Sequence, residues 1–260
     1  MSRKIKNKKG GICRLCGKET MLSFEHFPPK KPFNKSIRYR HVDPIEIQDH
    51  HGIHENKITG RIYEGPIGDH SLCVDCNNFL NKNYVRHFYK LQICAHTVIS
   101  DIRPDSDIAH FRINDLNFLR ALKHIISMFI AMNDYEISAN LQKDLVEYIN
   151  NPSTNYLPDK YRIYMYLVRP GSFRKFKWTM GNAFGMISEF AHYPLGFVIS
   201  YENLPLPVLC EITPWKYFNS EGEFTADFFV PVLSIDSFIP LDYRSKEILN
   251  KFQINKGEKL

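Results

Sequence analysis

The sequence predicts an α+β protein, and three observations lead to this prediction. Two Cys-x-x-Cys pairs, CRLC at residues 13–16 and CVDC at residues 73–76, enclose short strand-like runs, and a helical pattern follows the second pair. Strongly apolar helical periodicity then occupies the middle of the chain. After Tyr161, short apolar runs alternate with Gly, Pro and Asn signals, which is typical of strands. We therefore expect a small N-terminal module, then helices, then a mainly antiparallel β-rich part.

The composition indicates a globular protein with an ordinary core. Hydrophobic residues make up 43% of the 260 residues and charged residues 24%, which fits one large domain or two small ones. No apolar run approaches the roughly 20 residues that a membrane helix needs, so no membrane partner is expected. The N-terminus, MSRKIKNKKGG, is basic and no apolar segment follows it. This pattern is unlike a secretory signal and predicts a cytoplasmic location.

The positive charge is concentrated at the start of the chain. Residues 1–90 hold 17 Lys and Arg against 9 Asp and Glu, whereas the rest of the chain holds 17 against 19. A basic excess confined to one third of a chain suggests contact with a polyanion, most simply nucleic acid. Residues 1–10 form a basic tail, but five of the 17 charges lie there, so the tail alone does not explain the excess.

The cysteine spacing predicts a structural zinc site. Two thiolates three positions apart can hold one ion from a tight turn, and two such turns complete the tetrahedron that zinc prefers. We expect the ligands to be Cys13, Cys16, Cys73 and Cys76. Four cysteines leave no coordination position for water, so this zinc would stabilise the fold and take no part in catalysis. A redox CxxC, or two unrelated pairs, remains the alternative.

Cys94 and Cys210 are isolated and are expected to be small buried hydrophobes.

Between the two pairs, the sequence predicts strands and a long loop. Residues 21–26 alternate as a strand, which Pro28 and Pro29 terminate. Residues 30–60 are polar, basic and rich in histidine, which predicts a loop. Residues 59–66 have the character of a second strand. From Cys73 onward the apolar residues Phe79, Tyr84, Phe88, Leu91 and Ala95 have helical spacing.

The order of these motifs resembles a known family. The runs CRLCG, LSFEHFPPK and LCVDCNN, taken in this order, are similar to the four-cysteine class of HNH endonucleases, which have the ββα-metal fold. Members show a CxxC pair, an acidic residue and a His followed by proline, and a second CxxC pair followed directly by Asn or His. The resemblance covers about residues 11–90, roughly a third of the chain. It implies an HNH domain over residues 11–100.

The resemblance implies roles for individual residues. His26 would be the general base that takes the proton from water. Glu25 and Asn77 would hold a catalytic Mg²⁺ or Mn²⁺ through oxygen atoms, with waters at the remaining positions. The basic residues near them would contact phosphates, and these are Lys30, Lys31, Lys82 and Arg86. The alternatives are that Glu25 and His26 are ordinary surface residues, that Asn77 only caps the helix, and that Lys82 and Arg86 belong to its solvated face.

The sequence departs from the family pattern at the middle residue of the motif. The usual spacing places that residue at Gly68, so His70, next to Asp69, is the nearest catalytic candidate. A further cluster, HHGIH, brings His50, His51 and His54 into the long loop, where they could bind a metal, lie near a phosphate or be solvated.

The sequence of residues 101–260 predicts a domain that is first helical and then β-rich, and its role is unknown. Residues 111–133 and 137–149 have helical periodicity, and residues 150–160 have the Asn, Pro and Ser content of a linker. Four to six strands should follow. His124 is expected to be structural. This part could bind a ligand or a protein partner, since nucleases that resemble this chain often join an HNH unit to a sensing part, in phage defence or mobile elements.

Three functions are consistent with the sequence. The first is a metal-dependent HNH endonuclease that acts on DNA. The second is a non-catalytic, zinc-stabilised module that binds DNA or RNA. The third is an interaction protein derived from a nuclease, which would bind neither metal nor nucleic acid at Glu25 and Asn77.

Overall fold

A computed structural model gives the architecture of most of the chain. It describes residues 9–30, 33–34, 37–41, 61–170, 173–181, 185–202, 205–237 and 239–249. Helices and largely antiparallel sheets alternate through these residues, which confirms the predicted α+β class. Lys31, the basic tail before Lys9, and the HHGIH cluster at His50, His51 and His54 lie outside the described residues.

The N-terminal part contains a three-stranded antiparallel sheet. Its strands, in spatial order, are β1 (Lys9–Ile12), β2 (Glu19–His26) and β5 (Gly68–Cys73). A separate antiparallel hairpin, formed by β3 (Ile37–His41) and β4 (Arg61–Gly65), lies between β2 and β5 in the sequence. The strand predicted for residues 59–66 is therefore real, but it pairs with β3, and β5 is the antiparallel partner of β2.

Two local features explain this correction. Gly65 has a φ of 141°, which ends β4 and turns the chain immediately before Pro66. The next strand, β5, buries Leu72 completely, and the preceding Ile67 is also buried. The predicted loop is also partly wrong, because residues 37–41 form β3 within it.

A long helical segment follows β5 without a connecting loop. It consists of α1 (Val74–Leu80), a π-helical turn (Asn81–Val85) and α2 (Arg86–Asp101). The side chain of Cys73 caps its start by accepting a hydrogen bond from the backbone N–H of Cys76. The predicted apolar stripe faces the core, where Tyr84, Phe88, Leu91 and Ala95 are fully buried.

The helix predicted for residues 111–133 is divided between a strand and a helix. Strand β6 covers Ile108–Leu116, and α3 covers Phe118–Met132. The alternation in IAHFRINDL buries Ala109, Phe111 and Ile113 on one side of β6. Asn117 then begins the helix, since its side chain accepts a hydrogen bond from the backbone N–H of Arg120.

Helix α3 is buried on all sides. Every one of its side chains except that of Arg120 is buried, as expected for a helix in the centre of a core. It packs against α2, against β5 of the three-stranded sheet, against α4 (Tyr135–Asn150) and against the large sheet described below. His124 lies within it, fully buried beside the ring of Phe88, and burial lowers its pKa to about 3.

Within the described part of the chain, the second half forms a seven-stranded sheet. The strands that follow β6 in sequence are β7 (Tyr161–Val168), β8 (Phe173–Gly181), β9 (Gly185–His192), β10 (Leu195–Tyr201), β11 (Cys210–Glu211) and β12 (Phe224–Leu233). The spatial order is β6-β12-β7-β10-β9-β8, with β11 beside β7. All pairings are antiparallel except β12 with β7. Six strands thus follow from Tyr161 onward, within the predicted range of four to six, and residues 151–160 are irregular as expected.

One face of this sheet packs against α3 and the N-terminal part, so a single apolar core runs through residues 13–232. Phe27, directly after β2, packs edge-on against Phe190 of β9, with ring centroids 6.4 Å apart. The other face is covered by residues near Leu206, Leu209 and Ile235. None of the described helices combines the length and apolarity that crossing a membrane would require.

A buried ion pair fastens the C-terminal segment to the sheet. Nη1 of Arg174 donates to both carboxylate oxygens of Glu189 at 3.0 and 3.2 Å, and the two side chains are 4% and 0% exposed. The Tyr166 hydroxyl and the Leu241 N–H also donate to this carboxylate. Nη2 of Arg174 donates to the backbone oxygens of Ser237 and Asp242. The charge of Glu189 is therefore fully compensated.

Replacing Arg174 should destabilise the protein strongly. Arg174→Met leaves Glu189 ionised and buried without a cation, which costs about 3 to 5 kcal/mol of unfolding free energy. Arg162→Met is the matched control, since Arg162 pairs with Glu211 through side chains that are 30% and 34% exposed, and its loss should cost at most about 1 kcal/mol. Urea denaturation measures both values. Equal losses in the two variants would contradict this account.

Candidate functional site

The four thiols of the two Cys-x-x-Cys pairs lie together at one end of the three-stranded sheet. The sulfur atoms of Cys13, Cys16, Cys73 and Cys76 all lie within 4.8 Å of one another. Among the described residues, they are the only such group of His, Cys, Asp or Glu that could hold a metal ion. The sequence prediction of a four-cysteine cluster is therefore confirmed.

Local backbone structure positions each pair. The first pair lies in the turn between β1 and β2, where the Gly17 N–H donates to the Cys13 oxygen and Gly17 has a φ of 68°, which favours glycine. The N–H of Arg14 donates to Ser71 of β5, so this turn is tied to the strand that leads into the second pair. Cys73 ends β5 and Cys76 lies in the first turn of α1.

The donor set fits a structural zinc ion. The Sγ atoms of Cys16 and Cys73 are 3.9 Å apart, close to the roughly 3.8 Å between sulfurs in a tetrahedron with Zn–S bonds of about 2.3 Å. The Cys13 sulfur accepts hydrogen bonds from Cys76 and from the backbone N–H of Cys73, which lower its pKa to about 4. The same contact raises the pKa of Cys76, and burial raises the pKa of Cys16, so zinc binding would have to release protons from the cluster.

At the opposite end of β2, three aromatic side chains share one face of the sheet. The ring of Phe24 meets the His26 ring at 5.0 Å and the His70 ring at 5.3 Å, both edge-on. Phe24 and His70 are cross-strand partners, and His26 lies two residues further along β2. Phe24 therefore holds the two imidazoles predicted to be catalytic on the same side of the β2–β5 pair.

Glu25 projects from the other face, since adjacent strand residues alternate in direction. Its cross-strand partner is Asp69. Nη2 of Arg14 donates to Asp69 at 3.1 Å, whereas no described residue forms a hydrogen bond or ion pair with the Glu25 carboxylate. Burial raises the pKa of Glu25 to about 8. This carboxyl group therefore lies where a bound cation would be needed to keep it ionised at neutral pH.

Asn77 approaches the same face of β2 from α1. Its Nδ2 donates to Ser23 Oγ at 3.2 Å, and its Oδ1 accepts from Asn81 at 2.9 Å. Ser23 and Glu25 are two residues apart on one face of the strand, a separation of about 6.6 Å. The structure thus brings Asn77 and Glu25 to the same side of β2, and it brings His26 and His70 together on the opposite side.

The position expected for the middle residue of the motif cannot hold a side chain. A Cβ added to Gly68 would lie 2.2 Å from the Glu25 backbone oxygen and 2.5 Å from the Phe24 ring. Gly68 is the cross-strand partner of His26, so the Phe24 ring occupies the space opposite the histidine.

Sequence reasoning missed Asn34, which is fully buried behind the Pro28-Pro29 exit. Its Nδ2 donates to the oxygens of Pro28 and Ile67 at 2.7 and 2.8 Å, and its Oδ1 accepts from the Ile67 N–H at 2.8 Å. One side chain thus fastens the segment after His26 to the residue before β5. A single Asn in a Pro- and Lys-rich stretch gave no signal, because such residues are usual in exposed turns.

Three of the four predicted phosphate contacts lie among the described residues, and all three are exposed. Lys30 lies directly after Pro29, Lys82 lies in the π-helical turn, and Arg86 begins α2. Arg86 also donates from Nε to His87 at 2.9 Å. These cations are accessible to a polyanion, although no described contact joins them to Glu25 or Asn77.

The chain shows no significant similarity to a protein-family model, a curated protein or a solved structure.

Removing one cysteine of the cluster should release zinc. Cys76→Ser leaves three thiolates, so we expect loss of bound zinc and a lowered melting temperature. Cys94→Ser is the control, because Cys94 lies in α2 outside the cluster. Elemental analysis and thermal melting measure both effects. Full zinc content with an unchanged melting temperature in Cys76→Ser would show that the cluster is not a zinc site.

Proposed function

We propose that this protein is a metal-dependent endonuclease of the HNH type that hydrolyses phosphodiester bonds in DNA. His26 acts as the general base, Glu25 and Asn77 hold a catalytic Mg²⁺ or Mn²⁺, and His70 assists at the same site. The four cysteines hold a structural zinc ion. A role in phage defence or in a mobile element belongs to the same proposal.

One observation carries the proposal. The antiparallel pair β2–β5 continues directly into α1, and Asn77 on this helix donates to Ser23 on β2, two residues before Glu25. Strand, strand and helix therefore meet at the cysteine cluster with both predicted metal ligands on one side. This is the order of elements that the ββα-metal resemblance implies.

The residues have complementary chemical tasks. The imidazole of His26 takes the proton of the attacking water near neutral pH. Glu25 and Asn77 offer a carboxylate and an amide oxygen, which are ligands that Mg²⁺ prefers. A cation bound there stabilises the charge that develops on the phosphate and the leaving oxygen. Because His26 and Glu25 leave β2 on opposite faces, the proposal requires the phosphate to lie beside the C-terminal end of this strand, where both groups could reach it.

A second function is favoured by the charge distribution. The first 90 residues carry the basic excess, and Lys30, Lys82 and Arg86 are exposed. A non-catalytic zinc module would use these cations to bind DNA or RNA through phosphates. Salt-sensitive binding without strand breaks in Mg²⁺ or Mn²⁺ would support this function.

His26→Ala should abolish cleavage without unfolding the protein. Loss of a general base lowers the rate about 10²- to 10⁴-fold. Supercoiled plasmid is incubated with the zinc-loaded protein in Mg²⁺, Mn²⁺ or EDTA, and nicked product is quantified on gels.

The control for this experiment is His110→Ala, because His110 is an exposed histidine on the distant strand β6. It should cleave like the wild type. Equal cleavage by the wild type and His26→Ala would refute the assignment of the base. An intact plasmid in every condition, together with salt-sensitive DNA binding, would favour the binding module.

Metal affinity at Glu25 should depend on pH. Protonated Glu25 cannot bind a cation, and its pKa of about 8 lies above the usual range. Affinity for Mn²⁺ should therefore rise about tenfold per pH unit below pH 8 and level off above it. Calorimetric titration of the zinc-loaded protein at several pH values measures this affinity.

Two variants serve as controls. Glu25→Gln should lose the pH dependence of Mn²⁺ binding, and Glu19→Gln, at the exposed start of β2, should keep it. An affinity that is independent of pH in the wild type would contradict the assignment.

A further inference from the structure

A cluster of charged residues lies where the three-stranded sheet meets the seven-stranded sheet. It joins Arg14 and Asp69 of the N-terminal part to Asp134, before α4, and to Lys175 and Lys177 of β8. Nη2 of Arg14 lies 3.1 Å from both aspartates, and Lys177 pairs with Asp134 at 2.5 Å. Each aspartate is therefore neutralised by a cation.

Lys175 is the exception in this cluster. No described residue forms a hydrogen bond or ion pair with its ammonium group, which lies 4.7 Å from the centroid of the Phe27 ring. Asp69 is close enough to raise its pKa, but burial prevails and lowers the pKa to about 8. With three cations and two aspartates, the cluster carries one excess positive charge when Glu25 is neutral.

The position of Lys175 relates it to the candidate site. Phe27 follows His26 directly and projects from the same face of β2 as Glu25. Asp69, whose charge acts on Lys175, is the cross-strand partner of Glu25. Water reaches this seam, since the side chains of Asp69 and Asp134 are 34% and 39% exposed. An anion could therefore enter beside Lys175.

The geometry points to Lys175 as a phosphate-binding residue of the nuclease site, contributed by the β-rich part of the chain. The seven-stranded sheet thus forms one wall of the site, and the substrate phosphate bridges the two sheets. The partly buried ammonium group of Lys175, with which no described residue pairs, loses hydration, and a phosphate oxygen would replace the lost water with a charge-assisted hydrogen bond. This inference rests on the proposed function for its substrate class.

The test measures binding of a short fluorescein-labelled DNA duplex in EDTA at several salt concentrations, together with plasmid cleavage in Mg²⁺. Lys175→Met keeps the aliphatic packing on Phe27 and removes the charge. We expect the slope of log affinity against log salt to fall by about 0.9, the contribution of one phosphate contact. The value of kcat/KM should fall about tenfold to a hundredfold, with unchanged zinc content. Lys175→Arg should recover most of both losses.

Lys177→Met is the matched control, because it removes the same charge two residues further along β8 from a residue already paired with Asp134. Its salt slope should equal that of the wild type. An unchanged slope and rate in Lys175→Met, or equal losses in both variants, would overturn the inference. If Lys175→Met fails to fold, Lys175→Gln provides the same comparison.

The experiment separates this inference from the proposed function. If the salt slope falls by about 0.9 in Lys175→Met but the wild type never cleaves DNA, the nuclease is refuted and Lys175 is retained as a phosphate contact. Normal cleavage by Lys175→Met would refute the inference and retain the nuclease. A wild type that neither binds nor cleaves DNA would overturn both.

Discussion

The burial of α3 on every side is the constraint on which the rest of the structure depends. A helix with apolar residues around its whole circumference must be covered in every direction, and α3 contacts α2, α4, β5 and the seven-stranded sheet. The small N-terminal sheet therefore belongs to the common core of the protein. Phe27, directly after β2, contacts Phe190 of the larger sheet.

The cysteine cluster fixes the relative positions of the elements that carry the candidate site. It joins the β1–β2 turn to the junction of β5 and α1, so β2, β5 and the helix share one fixed point. From that point, strand register alone determines that Glu25 faces Asp69 and that His26 faces Gly68. Asn34 closes the opposite end by bonding to both Pro28 and Ile67. The pair of strands is thus held at its two ends, and the residues with predicted chemistry lie at the end that Asn34 closes.

The sequence predicted the four clustered cysteines correctly, because their spacing is strict. It misled where the apolar periodicity of a strand overlaps that of the following helix. Ligand spacing identified all four cysteines, because a metal site needs defined donors. Residues 111–116 were assigned to a helix because Leu116 extends the apolar period of α3, whereas Phe111 and Ile113 alternate as a strand. Strand β5 was not predicted, because the short run from Gly68 to Cys73 contains few β-branched or aromatic residues. The contacts of Asn34 with Ile67 and of Lys175 with the Phe27 ring join residues far apart in the sequence, which local patterns cannot reveal.

The charges of Glu25 and Lys175 connect the proposed metal site with the proposed phosphate contact. Glu25 favours the neutral form in the protein without a bound metal, while Lys175 retains a positive charge without an ion-pair partner among the described residues. A divalent cation alone would add positive charge beside Lys175, and a phosphate alone would approach two aspartates. Bound together, metal and phosphate compensate each other, so each should increase the affinity for the other by the same factor. Such coupling would allow the site to hold its metal firmly when substrate is present, and it would require both sheets to be in contact.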